Sequence, residues 1–187
     1  MDKIDINNLA GKCIAALPST EGYFAKSLIY ICSHDSSGAM GLVVNSIFPE
    51  LTFNNLAISF SPNNCLNSEI PLYQGGPLER EKGFILHDTS YNSTESLTIS
   101  KDIKISSSRQ IIQDIIQGQG PDNFLIVLGC CAWIPQQLET EISQNKWLIT
   151  PASTELIFHI PTENRWNFAL SSLGINNSNL NFPLGHS

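Results

Sequence analysis

Two histidines stand where a catalytic or binding group could act, because each ends an apolar strand and precedes an aspartate. The pairs are His34-Asp35 and His87-Asp88. An imidazole near a carboxylate can serve as a general base close to neutral pH. A histidine that only hydrogen-bonds a surface turn is the commoner arrangement, and the sequence favours it. Two imidazoles in one cleft would indicate an enzyme, whereas two separated imidazoles would indicate a binding protein.

A small-ligand pocket at the same strand ends is the second hypothesis. Gly75 and Gly76 follow a strand, and glycines allow a ligand to approach the backbone where a Cβ would block it. No phosphate-binding glycine pattern surrounds them, so a tight turn is the favoured alternative. Met40, beside small residues, could form an adaptable apolar wall. The candidate ligand-binding set is therefore His34, His87, Gly75, Gly76 and Met40.

No recognisable catalytic, metal or cofactor motif accompanies these residues. The sequence has no GxSxG elbow, no CxxC pair and no Cys/His spacing typical of zinc. The segment from Gly129 to Gln137 is predicted as a loop between a buried strand and a helix. Glu139 and Glu141 lie early in that helix, where they complement its dipole and would repel a phosphate. We therefore predict no catalytic residue, no metal and no cofactor.

Composition and charge exclude further classes. The chain has 187 residues, a formal net charge of −7 and only 10 Lys plus Arg, which argues against direct nucleic-acid binding. The longest apolar run, from Phe124 to Trp133, is too short for a membrane span. The polar start with Asp2 and Asp5 does not resemble a signal peptide, so the cytoplasm is the expected compartment. The five cysteines are expected to be reduced, with Cys65 the most exposed.

Hydrophobic periodicity predicts a single α/β domain over residues 1–187, with irregular ends over 1–10 and 176–187. Asp35 to Gly38 is predicted to turn a hairpin. Four helices are predicted, beginning near Thr52, Ser107, Pro135 and Thr162. The same periodicity predicts a core that contains Ile111, Ile115, Phe124, Ile126, Leu128, Trp166, Leu170 and Leu173. The strands are predicted over Lys12–Leu17, Leu28–Ser33, Gly41–Asn45, Pro71–Gln74, Gly83–His87, Ser96–Ser100, Ile103–Ser106, Phe124–Leu128 and Trp147–Thr150. Hairpins together with helix-separated strands predict a mixed sheet.

Four ordered blocks of residues run along the chain from Gly11 to His186. The first two are Ala16-Leu17-Pro18 with His34 and Gly38 to Val43, and Tyr73 with Gly75-Gly76-Pro77, Gly83-Phe84 and Leu86-His87. The last two are Leu128-Gly129 with Trp133, Gln137 to Glu139 and Trp147, and Arg165-Trp166 with Leu173 to Ile175 and Gly185-His186. Together these blocks resemble the bacterial AlgH/YqgE-like family. The resemblance implies a mixed sheet curled into a partial barrel with helices outside. It also implies a bacterial cytosolic protein without an established enzymatic activity, in a family tied to transcriptional regulation of exopolysaccharide synthesis.

Two functions follow as expectations. The first is a non-enzymatic protein that binds an unidentified small molecule or protein, with a regulatory role that involves no direct contact with DNA and no membrane. The second is an unrecognised hydrolase or transferase that uses His34 and His87 in a cleft. The position of the two imidazoles relative to one cavity distinguishes them.

Overall fold

The computed structural model describes residues 5–60 and 70–175. The strands are β1 (Cys13–Ala16), β2 (Leu28–Asp35), β3 (Gly38–Val43), β4 (Ile47–Thr52), β5 (Pro71–Gln74), β6 (Leu78–Asp88), β7 (Leu97–Thr98), β8 (Ile103–Ser106), β9 (Phe124–Trp133) and β10 (Trp147–Thr150). The α-helices are α1 (Phe53–Phe60), α2 (Arg109–Ile116), α3 (Gln137–Ser143) and α4 (Arg165–Ser171). Short 3-10 turns cover Gly22–Phe24 and Thr162–Asn164, and a π-helical turn covers Glu155–His159.

The strands form one mixed ten-stranded sheet that curls into a half-barrel. Its main path is β10-β1-β2-β3-β9-β6-β8-β7, and β5 joins β9 while β4 joins β5. The β5–β9 pair is parallel and the other pairs are antiparallel. This arrangement confirms the predicted mixed sheet and the curled shape that the family resemblance implies.

Both faces of the sheet are buried, because side chains of successive strand residues enter different core clusters. In β1, Cys13 and Ala15 pack in one cluster, whereas Ile14 and Ala16 pack in a second. The first cluster also contains Trp166 and Leu170 of α4, and the second contains Leu138 of α3. A third cluster places α1 and α2 against β5, β6 and β9. The continuous apolar character of β9 follows from its central position.

Local sequence signals correctly predicted several connections. Asp35 pairs with Gly38 at the end of the β2–β3 hairpin. Gly118, with φ of 73°, ends α2 in the left-handed conformation that favours glycine. The predicted core positions Ile111, Ile115, Ile126, Trp166 and Leu170 are buried.

Other local predictions need correction. The segment after Leu128 is not a loop, because β9 continues to Trp133 by pairing with β3 and β6. Ser108, and not Ser107, precedes α2, and its side chain makes no capping hydrogen bond. Thr162 begins a 3-10 turn before α4, and Leu173 beyond α4 is 39% exposed, so its assignment to the core is wrong. Phe124 and Leu128 are half-buried against the third cluster.

Within the described ranges, no helix combines the length and the apolar character that crossing a membrane requires. The described cysteines, Cys13, Cys32, Cys130 and Cys131, are free thiols. Cys65 lies outside the described residues, so its predicted exposure stays a prediction. The predicted irregular end over residues 176–187 lies outside them as well.

Candidate functional site

His34 is a buried connector between the start of the chain and α3. Its Nδ1 accepts a hydrogen bond from the backbone N–H of Leu9 at 3.2 Å, so Nδ1 carries no proton. Nε2 therefore carries the proton of the neutral ring and donates to Oε1 of Glu139 at 3.2 Å. Both ring nitrogens are thus occupied by partners within the protein, and neither is available to a substrate.

His87 is fully buried in β6, and both of its ring nitrogens are also occupied. Nδ1 lies 2.7 Å from the main-chain oxygen of Asp88, to which it donates a hydrogen bond. Nε2 consequently accepts from the Ser106 hydroxyl at 3.0 Å, and Ser106 is in turn 2.7 Å from the Ser96 hydroxyl. Burial lowers the pKa of His87 and outweighs the raising effect of its hydrogen bond to Asp88. The ring is a neutral structural group.

The strand register aligns the two imidazoles with different ends of β9. His34 pairs with Ala39, which pairs with Trp133 at the end of β9, whereas His87 pairs with Phe124 at the start of β9. The two imidazoles are therefore not direct neighbours, and a pocket shared by all five candidate residues stays a prediction.

Gly75 and Gly76 are buried where the chain passes very close to β9. A Cβ on Gly75 would lie 2.2 Å from the carbonyl oxygen of Gly129, and one on Gly76 would lie 2.2 Å from the carbonyl of Cys130. Gly75 also accepts from Val43 N–H at 2.9 Å and donates to the Leu128 carbonyl at 2.8 Å. These glycines allow close backbone packing between strands, which explains them without a ligand.

Met40 lines an apolar cleft of about 420 Å³ together with Cys32, Phe84 and Ile105. Neither His34 nor His87 is among its lining residues. Ser106, the hydrogen-bond partner of His87, does line this cleft, and Met40 pairs with Ser33, the residue before His34.

The site with the most distinctive chemistry is a different cleft of about 450 Å³, which we call the aromatic cleft. It lies between the 3-10 turn Gly22–Phe24, the end of β9, α3 and the start of β10. Its principal lining residues are Tyr23, Phe24, Leu78, Ala132, Trp133, Gln137, Glu141, Lys146 and Trp147. This volume is in the range typical of small-molecule sites.

Four aromatic rings form a continuous series along this cleft. The ring centroids are 4.9 Å apart for Tyr23 and Phe24, 5.6 Å for Phe24 and Trp147, and 6.4 Å for Trp147 and Trp133. The successive planes cross at 84°, 74° and 83°, so each pair is edge to face. The ring planes therefore differ in orientation along the cleft, where Trp133 and Trp147 are buried, Phe24 is half-buried and Tyr23 is exposed.

Glu141 joins the two tryptophans. Its Oε2 accepts from Nε1 of Trp147 at 2.8 Å and from Nε1 of Trp133 at 3.0 Å, while Oε1 accepts from Gln137 at 3.0 Å. Burial raises the pKa of this carboxyl, but the three hydrogen bonds and the charge of Lys146 together outweigh burial and lower the pKa below its ordinary value. Glu141 is therefore a carboxylate near neutral pH.

Both ends of the short helix α3 are fixed, and this holds Glu141 in position. Gln136 before the helix and Asn145 after it adopt φ of 64° and 57°, the left-handed conformation that turns the chain sharply. Leu138 is fully buried in the second core cluster, and Glu139 bonds His34. Neighbouring residues of one helix thus anchor α3 to the sheet and direct Glu141 towards the indoles.

Sequence position alone assigns Glu139 and Glu141 only to the helix dipole, and it predicts a loop at Trp133. The available signal was the position of Glu141 between two tryptophans, eight residues after Trp133 and six before Trp147. This spacing brings the three side chains together only when β9, α3 and β10 are folded against one another. Among the described residues, no group of three or more His, Cys, Asp or Glu side chains is placed to hold a metal.

Comparison with known proteins places the chain in a family. A family model described as AlgH-like matches residues 13–178. A UPF0301 protein of Rickettsia typhi is 39% identical over 99% of this chain and 98% of its own, and one of Erwinia tasmaniensis is 35% identical over 96% and 99%. The solution structure of the AlgH protein from Pseudomonas aeruginosa covers both chains completely, with a TM-score of 0.78 and 31% identity.

A crystal structure of a protein from Corynebacterium diphtheriae shares the fold, with a TM-score of 0.72 over 91% of this chain and 88% of its own, at 20% identity. Both the sequence relatives and the shared fold agree with the family resemblance of the four sequence blocks. The chain belongs to the AlgH-like family, also named UPF0301.

Proposed function

We propose that this protein is a non-catalytic binding protein that holds a small ligand in the aromatic cleft. The observation that carries the proposal is the Glu141 carboxylate, which is held by two indole N–H groups at the wall of an aromatic-lined cleft of about 450 Å³. Ligand sites typically combine apolar and aromatic walls with a few precisely placed polar groups.

The alternative enzyme based on His34 and His87 is not proposed. The two imidazoles are aligned with different ends of β9, and both nitrogens of each ring have hydrogen-bond partners within the protein. The Ser106–His87 contact resembles a nucleophile and its base, but both side chains are buried beneath the sheet surface, with exposures of 3% and 0%. Ser106 lines the same cleft as Met40, but its hydroxyl is shared between His87 and Ser96.

A binding protein of this kind would act through its ligand or through a protein partner, which is the regulatory class that the family resemblance implies. We propose that it does so without direct contact with DNA, and the supporting observation is the net charge of −7 with only 10 Lys plus Arg. We place its action in the cytoplasm, which the four unpaired cysteines among the described residues support.

Nuclear magnetic resonance of the three indole N–H groups tests the proposal. Trp133 and Trp147 line the cleft, whereas the Trp166 indole donates to the Ala16 carbonyl at 2.9 Å in another part of the core. Small neutral, cationic and anionic compounds are added one at a time. At least one class should shift the Trp133 and Trp147 signals and leave Trp166 unchanged.

A cleft-filling variant provides the control. Ala132 is exposed on β9 and lines the cleft, so Ala132→Trp should fill the space without entering the core and should abolish the shifts. Phe168→Ala removes an exposed ring on α4, away from the cleft, and should leave the shifts unchanged. No response to any class, or conversion of a bound compound into a product, would overturn the proposal.

A further inference from the structure

We infer that the aromatic cleft selects an organic cation, specifically an alkylated ammonium group, which would lie against the aromatic rings and near the Glu141 carboxylate. This inference rests on the proposed binding function and adds the chemical class of the ligand.

The hydrogen-bond partners of Glu141 leave its negative charge unneutralised. Its three hydrogen-bond donors, Trp133, Trp147 and Gln137, are all neutral groups. Among the residues that the structure describes, no Lys, Arg or His nitrogen lies within 4.0 Å of this carboxylate. A half-buried carboxylate without a contact ion pair attracts a positive charge more strongly than an exposed one, because less water screens it.

The aromatic rings of the cleft also favour a cation. Aromatic faces carry negative electrostatic potential, and a cation within about 6 Å of a ring centroid is attracted to them, most strongly by tryptophan. Trp133 and Trp147 also donate their N–H groups to an anion, which polarises each indole and makes its face more negative. Quaternary ammonium groups are weakly hydrated and bind well in such surroundings, whereas anions are repelled by both the rings and the carboxylate.

Two other charged residues, Lys146 and Glu21, line the cleft. Lys146 is exposed at the cleft and lowers the pKa of Glu141, so it favours the ionised form without forming an ion pair. Glu21 is an exposed second carboxylate in the lining. The cleft therefore presents two carboxylates and one ammonium, and its balance favours a cationic ligand.

A matched pair of probes distinguishes selection of a cation from simple filling of the cleft. Choline and 3,3-dimethylbutan-1-ol have nearly the same shape, but only choline is charged. Choline should bind about tenfold more tightly than the alcohol, measured from the Trp133 and Trp147 indole N–H shifts with Trp166 as internal reference. An N-acetyl trimethyl-lysine amide, tested in parallel, distinguishes a free small molecule from a modified protein side chain as the source of the ammonium group.

Charge-neutralising variants complete the test. Glu141→Gln keeps an oxygen that can accept from the indoles but removes the charge, so it should lower choline affinity about tenfold and leave the alcohol within about twofold. Glu155→Gln removes the same unit of net charge at an exposed position outside the cleft and should change neither affinity. Intact Trp133 and Trp147 signals in the free variants show that the cleft is folded.

The outcomes are distinct. Equal binding of choline and the neutral alcohol overturns the selection for cations and leaves the binding function standing. Tighter binding of acetate or phosphate than of choline also overturns it, and would assign Lys146 as the principal charge. Failure of every probe to shift the two indoles overturns both the cation class and the binding function.

Discussion

His34 and Glu139 are in contact, with Nε2 of the imidazole 3.2 Å from Oε1 of the carboxylate, although 105 residues separate them in the chain. The contact joins β2 to α3, the helix that carries Glu141 into the aromatic cleft. Because Leu9 occupies the other ring nitrogen, one side chain holds the start of the chain, a central strand and the site helix together.

Removing the polar atoms of His34 should destabilise this junction. His34→Leu keeps a side chain of similar bulk but leaves the Leu9 N–H and the Glu139 carboxylate without their partner, which should cost about 1–3 kcal/mol of unfolding free energy. Urea denaturation measures the loss. Glu139→Gln retains the acceptor oxygen and should cost less than about 1 kcal/mol. Equal stability of His34→Leu and the unmodified protein would contradict this role.

The burial of His87 predicts a pH dependence of stability. Its pKa in the folded protein is lowered from 6.5 because burial disfavours the charged ring. Between the lowered pKa and 6.5 the unfolded chain binds more protons, so this contribution to stability is complete above pH 6.5 and is lost as the pH falls below it. The slope from one proton is at most about 1.4 kcal/mol per pH unit.

Comparison with a variant isolates this contribution, since other histidines also titrate. In urea denaturation between pH 7.5 and pH 5, an interval of about one pH unit on either side of the ordinary histidine value, His87→Gln should have a shallower loss of stability than the unmodified protein. Parallel pH profiles for the two proteins would show that His87 is not the group responsible.

The close approach of Gly75 to β9 predicts a sharp contrast between two glycines. Gly75→Ala would place a Cβ 2.2 Å from a backbone oxygen of Gly129, and backbone cannot move aside cheaply. We expect a loss of about 2–4 kcal/mol or a failure to fold. Gly83→Ala would meet only the Leu128 side chain at 3.8 Å, an ordinary contact, and should cost less than about 1 kcal/mol. Thermal unfolding of the two variants measures the difference.

The four described cysteines predict slow thiol chemistry, since Cys13, Cys130 and Cys131 are buried and Cys32 is half-buried. Burial raises the pKa of Cys13, Cys32 and Cys130, and it raises the pKa of Cys131 to about 12. Thiolate is the reactive form, so these four groups should react slowly with Ellman's reagent at pH 8, a pH close to the ordinary cysteine pKa of about 8.5. All five thiols should react after denaturation.

Cys65 supplies the control for this measurement, because the sequence predicts it to be exposed. Native protein should release one fast equivalent, and Cys65→Ser should remove it. Two or more fast equivalents in the Cys65→Ser variant would contradict the protection of the buried thiols.

The ionised state of Glu141 predicts how cation binding responds to acid. The pKa of Glu141 is lowered from 4.5, so the carboxylate remains charged at pH 5. Choline affinity should therefore be constant from about pH 7 to pH 5 and should fall only below the ordinary glutamate value. A loss of affinity centred near pH 6 would instead indicate a histidine, although neither His34 nor His87 lines the cleft.

The sequence alone determined the elements whose cause is local. Apolar alternation and turn residues predicted β1, β2, β5, β8 and the β2–β3 hairpin, because side-chain period and glycine conformation are properties of neighbouring residues. The family and its fold class could also be identified from the sequence, since ordered blocks such as Gly38 to Val43 and Gly75-Gly76-Pro77 are patterns of neighbouring residues.

Only the tertiary structure decided which of these elements meet. Equivalent local contexts, a strand ending in His-Asp, led to a connector at His34 and to a buried ring bonded to Ser106 at His87, because the register aligns the two residues with different ends of β9. Trp133, Glu141 and Trp147 converge for the opposite reason, since α3 folds back between β9 and β10. Strand order and register are non-local, and no periodicity within one segment encodes them.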